Sequence, residues 1–285
     1  MWEQRLVKTE RGQFEVFVAG KGEPLCVTHL YSEFNHLGNY FADLFADYFT
    51  VYLVNLKEAG KSARVQEEDE LSMSQSVEDL EAIRKVLGSK QWSFAGHSTG
   101  GMLGLVYAAQ YPGSLRSLII GGASATNQYM EHRDSIYSAK NPANKRLKEI
   151  FSILKSSDST REARMEAGRE WTEMSLFDPG RFDEYFSKPS SGKMVQQRLD
   201  YFSYEELPSF DIRQAISKIN TPTIVYCGRH NSQCPFVFSE EIHHLITASK
   251  FYVFEKSNHS PFLEEKENFK EMIKGFFEMS KGFQT

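Results

Sequence analysis

The sequence predicts an α/β fold: a mostly parallel sheet with helices on both faces, interrupted by an inserted helical unit. Three observations carry that expectation. Short apolar runs alternate with helix-length stretches through residues 25–122, the rhythm of strands that crossover helices bury on both sides. The rhythm stops near Ala123 and resumes near Pro222. Between an apolar run and a helix-like stretch stands Gly96-His97-Ser98-Thr99-Gly100, where one sharp turn must join strand to helix.

Taken in order, Trp2 to Val7 and Phe14 to Val18 read as antiparallel strands joined through Arg11-Gly12. Gly20 to Pro24 punctuates before the buried-strand run Leu25 to Thr28, and Thr50 to Asn55 repeats that pattern. Ser72-Met73-Ser74-Gln75 is an S-x-x-Q capping box. It precedes Val77, Leu80, Ile83, Val86 and Leu87, one face of an amphipathic helix. Gln91 to Ala95 is a strand, Met102 to Ala109 a helix, and Leu115 to Gly122 another strand. Helices are expected over Asn144 to Leu154, Arg161 to Ser175 and Arg181 to Phe186, with polar connectors. The sheet then resumes at Thr223 to Cys227, followed by a helix from about Phe236 to Ile246, a strand Phe251 to Phe254 and a last helix Phe262 to Met279. Residues 1–122 and 211–285 are therefore assigned to the sheet domain and 123–210 to a helical cap.

Composition narrows the function. Of 285 residues, 25% are charged and 40% hydrophobic, with a net charge of −5 and no basic stripe. Nucleic acid and anionic membrane are thus unsupported as partners. The first eight residues, Met1-Trp2-Glu3-Gln4-Arg5-Leu6-Val7-Lys8, lack a signal-peptide core, and no run reaches the roughly 18 apolar residues of a membrane span. Cys26, Cys227 and Cys234 are odd in number and have no metal-ligand spacing, the first two lying in expected buried strands. A cytoplasmic protein without metal or cofactor, acting on a small molecule as monomer or homodimer, is the expectation.

The chemistry centres on Ser98. G-x-S-x-G in a strand–turn–helix context lifts a serine hydroxyl out of the sheet and sets it at a helix N-terminus, where unpaired N–H groups favour negative charge. Such a hydroxyl needs a base within hydrogen-bond reach. Of the eight histidines, His259 is best placed, just past the last strand and at the sheet edge that carries the elbow. His29 also ends a strand there, whereas His243 and His244 fall on a helix and are expected to face solvent.

With these residues the chain resembles the α/β-hydrolase superfamily, in its branch of small, helically capped serine hydrolases. That branch includes prolyl aminopeptidases, carboxylesterases, lactonases and carbon–carbon bond hydrolases. The resemblance rests on the order Ser98, Gly228 loop, His259, and more loosely on Asn55 to Ser62, which is similar to D-x-R-G-x-G-x-S. It implies about eight strands and no cofactor. Two departures stand out. Where the family reads roughly G-x-x-D-x-x-x-P, this chain has Gly228 to Pro235 with Asn231 in the acid's position. An Asn oxygen can accept the imidazole N–H, but it cannot balance an imidazolium, and a flipped amide would favour the wrong tautomer. Where the family has His-Gly-x, this chain has His29-Leu30-Tyr31. By position the oxyanion donors are the backbone N–H groups of Tyr31 and Thr99, and Leu30 lacks glycine's freedom.

The resemblance implies catalysis by Ser98 and His259 with Asn231 in support, on a small ester, lactone or amide. His97, Leu30, Glu170 and Trp171 are the expected substrate contacts, and Glu170 with Glu173 could hold a substrate amine in a prolyl aminopeptidase. The competing expectation is a binding or signalling protein that has kept the pocket and lost turnover.

Overall fold

A computed structural model describes residues 2–282; Met1 and residues 283–285, inside the outer bounds assigned to the sheet domain, lie outside them. The main sheet has eight strands: β1 (Glu3–Thr9), β2 (Gly12–Ala19), β3 (Glu23–Val27), β4 (Phe49–Val54), β5 (Trp92–His97), β6 (Leu115–Gly121), β7 (Thr223–Gly228) and β8 (Ser249–Phe254). Their spatial order is β1-β2-β4-β3-β5-β6-β7-β8. Pairing is antiparallel for β1 with β2 and β2 with β4, and parallel from there on. The β1–β2 hairpin pairs Thr9 with Gly12 at its turn, as the Arg11-Gly12 signal implied.

Successive strand residues face opposite sides, so the central strands feed two buried clusters. Val225 joins the cluster with Val77, Leu80, Ile83 and Leu103, under the helices α1 (Met73–Val86) and α2 (Thr99–Gln110). Ile224 and Tyr226 join the other, with Phe41, Phe45 and the terminal helix residues Phe269, Ile273 and Phe276. This is why β7 reads as an unbroken apolar run: all six of its residues are buried. Cys26, Cys227 and Cys234 are all buried and free.

Ser72 caps α1 by accepting from Gln75 N–H at 3.2 Å. The expected apolar face is shorter than drawn, because Val86 in the last turn is 54% exposed. Between β6 and β7 the chain is mostly helical, with α3 (Asn144–Lys155), α4 (Arg161–Glu173) and α5 (Gln196–Tyr201). One extended piece was not foreseen: Lys193–Met194 pairs antiparallel with Ser32–Glu33, just after β3. After β7 come α6 (Phe236–Leu245) and, past β8, a short turn Pro261–Glu264 and α7 (Lys266–Lys281). The single last helix expected from Phe262 is broken at Glu265, whose φ of −123° and ψ of 50° are not helical.

Candidate active site

Parallel strands end at one edge, so the loops after β3, β5, β6, β7 and β8 converge there. Ser98 occupies the turn from β5 to α2 with φ 56° and ψ −126°, a left-handed conformation that a side chain adopts at a cost of order 1–3 kcal/mol. Its N–H is held by Gly121 O at 2.9 Å, while its carbonyl accepts from Gly101 and Met102. Neither flanking glycine can be replaced freely. A Cβ on Gly96 would lie 2.2 Å from Gly100 O, and one on Gly100 would lie 2.5 Å from Thr28 O. The strained serine is thus held by backbone on both sides.

His259 is buried in the loop after β8, its N–H bound to Ser175 O, between β6 and β7, at 3.1 Å. Its Nδ1 faces Asn231 Oδ1 at 3.1 Å, from the loop after β7. The same Asn231 oxygen accepts from the N–H groups of Gln233 (3.1 Å) and Cys234 (3.0 Å), while Nδ2 points to Cys227 Sγ at 3.6 Å. Two backbone donors fix the amide with its oxygen inward. His259 is then an Nδ1–H donor, leaving the Nε2 lone pair for a proton acceptor's role. Burial, followed by the like charge of His29, pushes the imidazole down to about 3, and no carboxylate contributes to that balance. The ring is neutral across the physiological range.

His29 lies under the other side of the site. Its Nε2 is 3.0 Å from Thr99 Oγ1 and its Nδ1 2.9 Å from Ser32 Oγ, and burial lowers it to about 4. It thereby ties the loop after β3 to the first residue of α2. That residue, Thr99, has no intrahelical partner for its N–H. Tyr31 N–H makes only a long contact of 3.5 Å to His29 Nδ1.

The other expected contacts are distributed differently. His97 packs 4.6 Å from the His259 ring, with Nδ1 on Tyr226 OH at 2.9 Å and Nε2 buried without a partner. Gly122, at φ +58°, makes room for this pair: a Cβ there would come 2.7 Å from His97 Cε1 and 3.3 Å from His259 Cε1. The Leu30 side chain is 1% exposed and packs into the core. Trp171 packs its ring on Phe151, with its indole nitrogen buried and unpaired. Glu170 is bidentate to Arg146 at 2.7 and 2.6 Å, and Glu173 pairs with Arg169 at 2.7 Å. Both carboxylates expected to hold an amine are therefore occupied by arginines. His243, expected to face solvent, is half-buried, bonded to Ser249 Oγ and stacked on Phe251.

Sequence reasoning missed several supports. Asn258 Oδ1 accepts from both Ser232 N–H (2.7 Å) and Ser232 Oγ (3.0 Å), lacing the loops after β7 and β8 together. Glu264, buried and with its carboxyl raised by that burial, accepts from Asn258 N–H and Phe177 N–H. Asn55, in the loosely matched segment, bonds Phe34 N–H and O and Glu15, and so braces the chain just past the β3 loop. A cavity of about 500 Å³ opens beside this cluster, lined by residues from Arg181 to Lys188 and from Phe262 to Asn268. Among the described residues no three His, Cys, Asp or Glu side chains gather to hold a metal ion, and no helix is long and apolar enough to cross a membrane.

The profile of the alpha/beta hydrolase fold family matches residues 26–266. A proline iminopeptidase of Saccharolobus solfataricus is 25% identical over 239 residues, covering 77% of this chain and 73% of that protein. The solved structure of an alpha/beta fold family hydrolase from Bacillus anthracis str. Sterne superposes with a TM-score of 0.94 at 45% identity, over 96% of this chain and 99% of that one. An esterase from Exiguobacterium antarcticum shares the fold at a TM-score of 0.69 and 21% identity, over 97% of this chain and all of that one.

Proposed function

This chain belongs to the alpha/beta hydrolase fold family, and from that premise we propose that it is a serine hydrolase of small carboxylic esters or lactones, with Ser98 as nucleophile and His259 as general base. Two observations carry this reading: Ser98 stands at the strand–helix elbow with a positive φ, and His259, in the loop after β8 at the same sheet edge, has its tautomer fixed by Asn231. In the reaction, Ser98 Oγ attacks the substrate carbonyl carbon while its proton passes to His259 Nε2. The carbonyl π pair becomes the oxyanion, facing the Tyr31 and Thr99 N–H groups. Collapse expels the leaving oxygen, which takes the proton from His259. Water then repeats the sequence on the acyl-enzyme, releasing the acid and restoring Ser98.

Asn231 orients the base but supplies no charge to stabilise the imidazolium formed in each half-reaction. Turnover is accordingly low for such a site. Ester and lactone substrates are favoured over N-terminal proline amides because Glu170 and Glu173 are already paired. The relative named proline iminopeptidase keeps proline amides in the assay panel. The test is labelling by a fluorophosphonate. We expect covalent modification at Ser98, abolished in Ser98→Ala and slowed by about 10² or more in His259→Ala. Labelling no faster in the parent than in His259→Ala would instead favour a binding protein that has lost turnover.

A further inference from the structure

We infer that Arg198, on the cap helix α5, is a positioning residue of the oxyanion hole, gripping the carbonyl of the peptide unit whose N–H faces the developing charge. The inference rests on the proposed Ser98 chemistry and on Tyr31 N–H as an oxyanion donor.

Arg198 is 1% exposed, among the largest fully buried side chains. Its guanidinium donates through Nε to Leu30 O, through Nη1 to Lys57 O at 3.2 Å, and through Nη2 to Leu71 O at 3.1 Å and Ser76 Oγ at 2.6 Å. Three carbonyls and a hydroxyl surround it, none of them a carboxylate. Burial lowers it only to about 10, so it remains a cation at neutral pH. A buried guanidinium with no directly bonded anion is costly to keep, which points to a use for its field.

The covalent geometry identifies that use. Leu30 C=O and Tyr31 N–H belong to one planar peptide unit, so a donor fixed on the oxygen fixes the direction of the N–H. A charged donor on the carbonyl also polarises the amide and strengthens its N–H as a donor, as hydrogen bonds in series do. The next peptide is held by the same cap segment, since Val195 N–H donates to Tyr31 O at 2.8 Å. Beyond it, Ser32 pairs with Met194 and Glu33 with Lys193. The loop around Leu30 is thus shaped from outside by residues 193–198. On the far side, the His29 to Thr99 contact keeps the second donor's residue in register.

The experiment uses the intact chain and its Arg198→Lys and Arg198→Met variants. It measures kinact and KI for a fluorophosphonate, kcat and KM for p-nitrophenyl acetate, and inhibition by a trifluoromethyl ketone that forms the tetrahedral oxyanion. Lysine keeps a charge but cannot span four acceptors, so it should fall between the parent and methionine. For Arg198→Met we expect kcat and kinact to drop together by about 10- to 100-fold, with the ketone weakened by a similar factor and KM and KI changed by less than about 3-fold. Should methionine fail to fold, Arg198→Lys and Ser76→Ala, which strips one anchor of the guanidinium, carry the test with smaller losses in the same direction. Folded variants with parental kinact, or a loss confined to KM and KI, or lost kcat with undiminished ketone affinity, would each overturn the inference. A parent chain that is never labelled at Ser98 would sink the underlying reading instead, and the inference with it.

Discussion

Asn231 Oδ1 serves three donors at once: two backbone N–H groups and the imidazole. A flipped amide would press NH₂ against Gln233 N–H and Cys234 N–H, leaving three donors without an acceptor, so the flip that would spoil the tautomer is strongly disfavoured. The slot is also what a carboxylate needs, with two N–H groups on one oxygen and the Cys227 thiol beside the other position. Asn231→Asp should therefore fold unchanged and raise ester turnover by about 10²- to 10⁴-fold; an unchanged rate would locate the missing charge elsewhere. The pH profile adds an independent reading. With His259 held near 3, the parent's labelling rate should stay flat from pH 8 to 5 instead of halving near 6.5. An added carboxylate favours the imidazolium, so the acid limb of Asn231→Asp should move up toward neutrality. Spontaneous conversion of Asn231 to Asp is opposed by the fold, because the Ser232 nitrogen that would attack the side chain donates to Asn258 Oδ1. Mass spectrometry of the native protein after incubation should find the asparagine intact.

At the scale of elements, the elbow works because β5, α2 and the β3 loop touch backbone to backbone. Gly100→Ala pushes a methyl against Thr28 O and should cost about 1–3 kcal/mol in urea unfolding. By contrast Gly168→Ala, in α4 with open space around it, should gain up to about 1 kcal/mol. Equal shifts for the two would contradict this view of the contact. These elements were legible because their signals are local. Glycines bracket Ser98, a capping box opens α1, and apolar runs of strand length mark the buried β3 to β7. What escaped the sequence depends on partners far along the chain. Arg198 sits in a stretch that reads as polar surface, and only the carbonyls of Leu30, Lys57 and Leu71 give it an interior role. The pairing of residues 193–194 with 32–33 has too little pattern to read in two residues. Glu170 and Glu173 read as free carboxylates because Arg146 and Arg169 become their neighbours only once α3 and α4 pack and α4 turns. Gly122 follows another glycine at the end of a strand, a turn signal whose purpose, space for two imidazoles, needs both rings in place.

For the molecule as a whole, gathering His29, His97 and His259 at one buried edge links the site to acid stability. All three are held below the ordinary 6.5, to about 4 for His29 and about 3 for His259, chiefly by burial. As pH falls below 6.5 the unfolded chain takes up three protons that the native state refuses, so unfolding becomes easier. Each histidine contributes a slope of up to about 1.4 kcal/mol per pH unit. Asp79, Glu206 and Glu264 act in the opposite sense, since burial raises their carboxyl groups and the native state binds those protons first. The histidine term is isolated by removing one ring from the balance. His97→Phe keeps a flat aromatic against Phe262 and loses the bond to Tyr226 OH, which lowers stability by an amount independent of pH. The proton term then makes the gap between parent and variant change with pH. Between pH 6.5 and 5 the parent should lose stability faster than His97→Phe, by about 1.4 kcal/mol per unit at the lower end of that window. Urea midpoints across that range measure it directly; parallel curves would mean that His97 titrates normally in the folded protein.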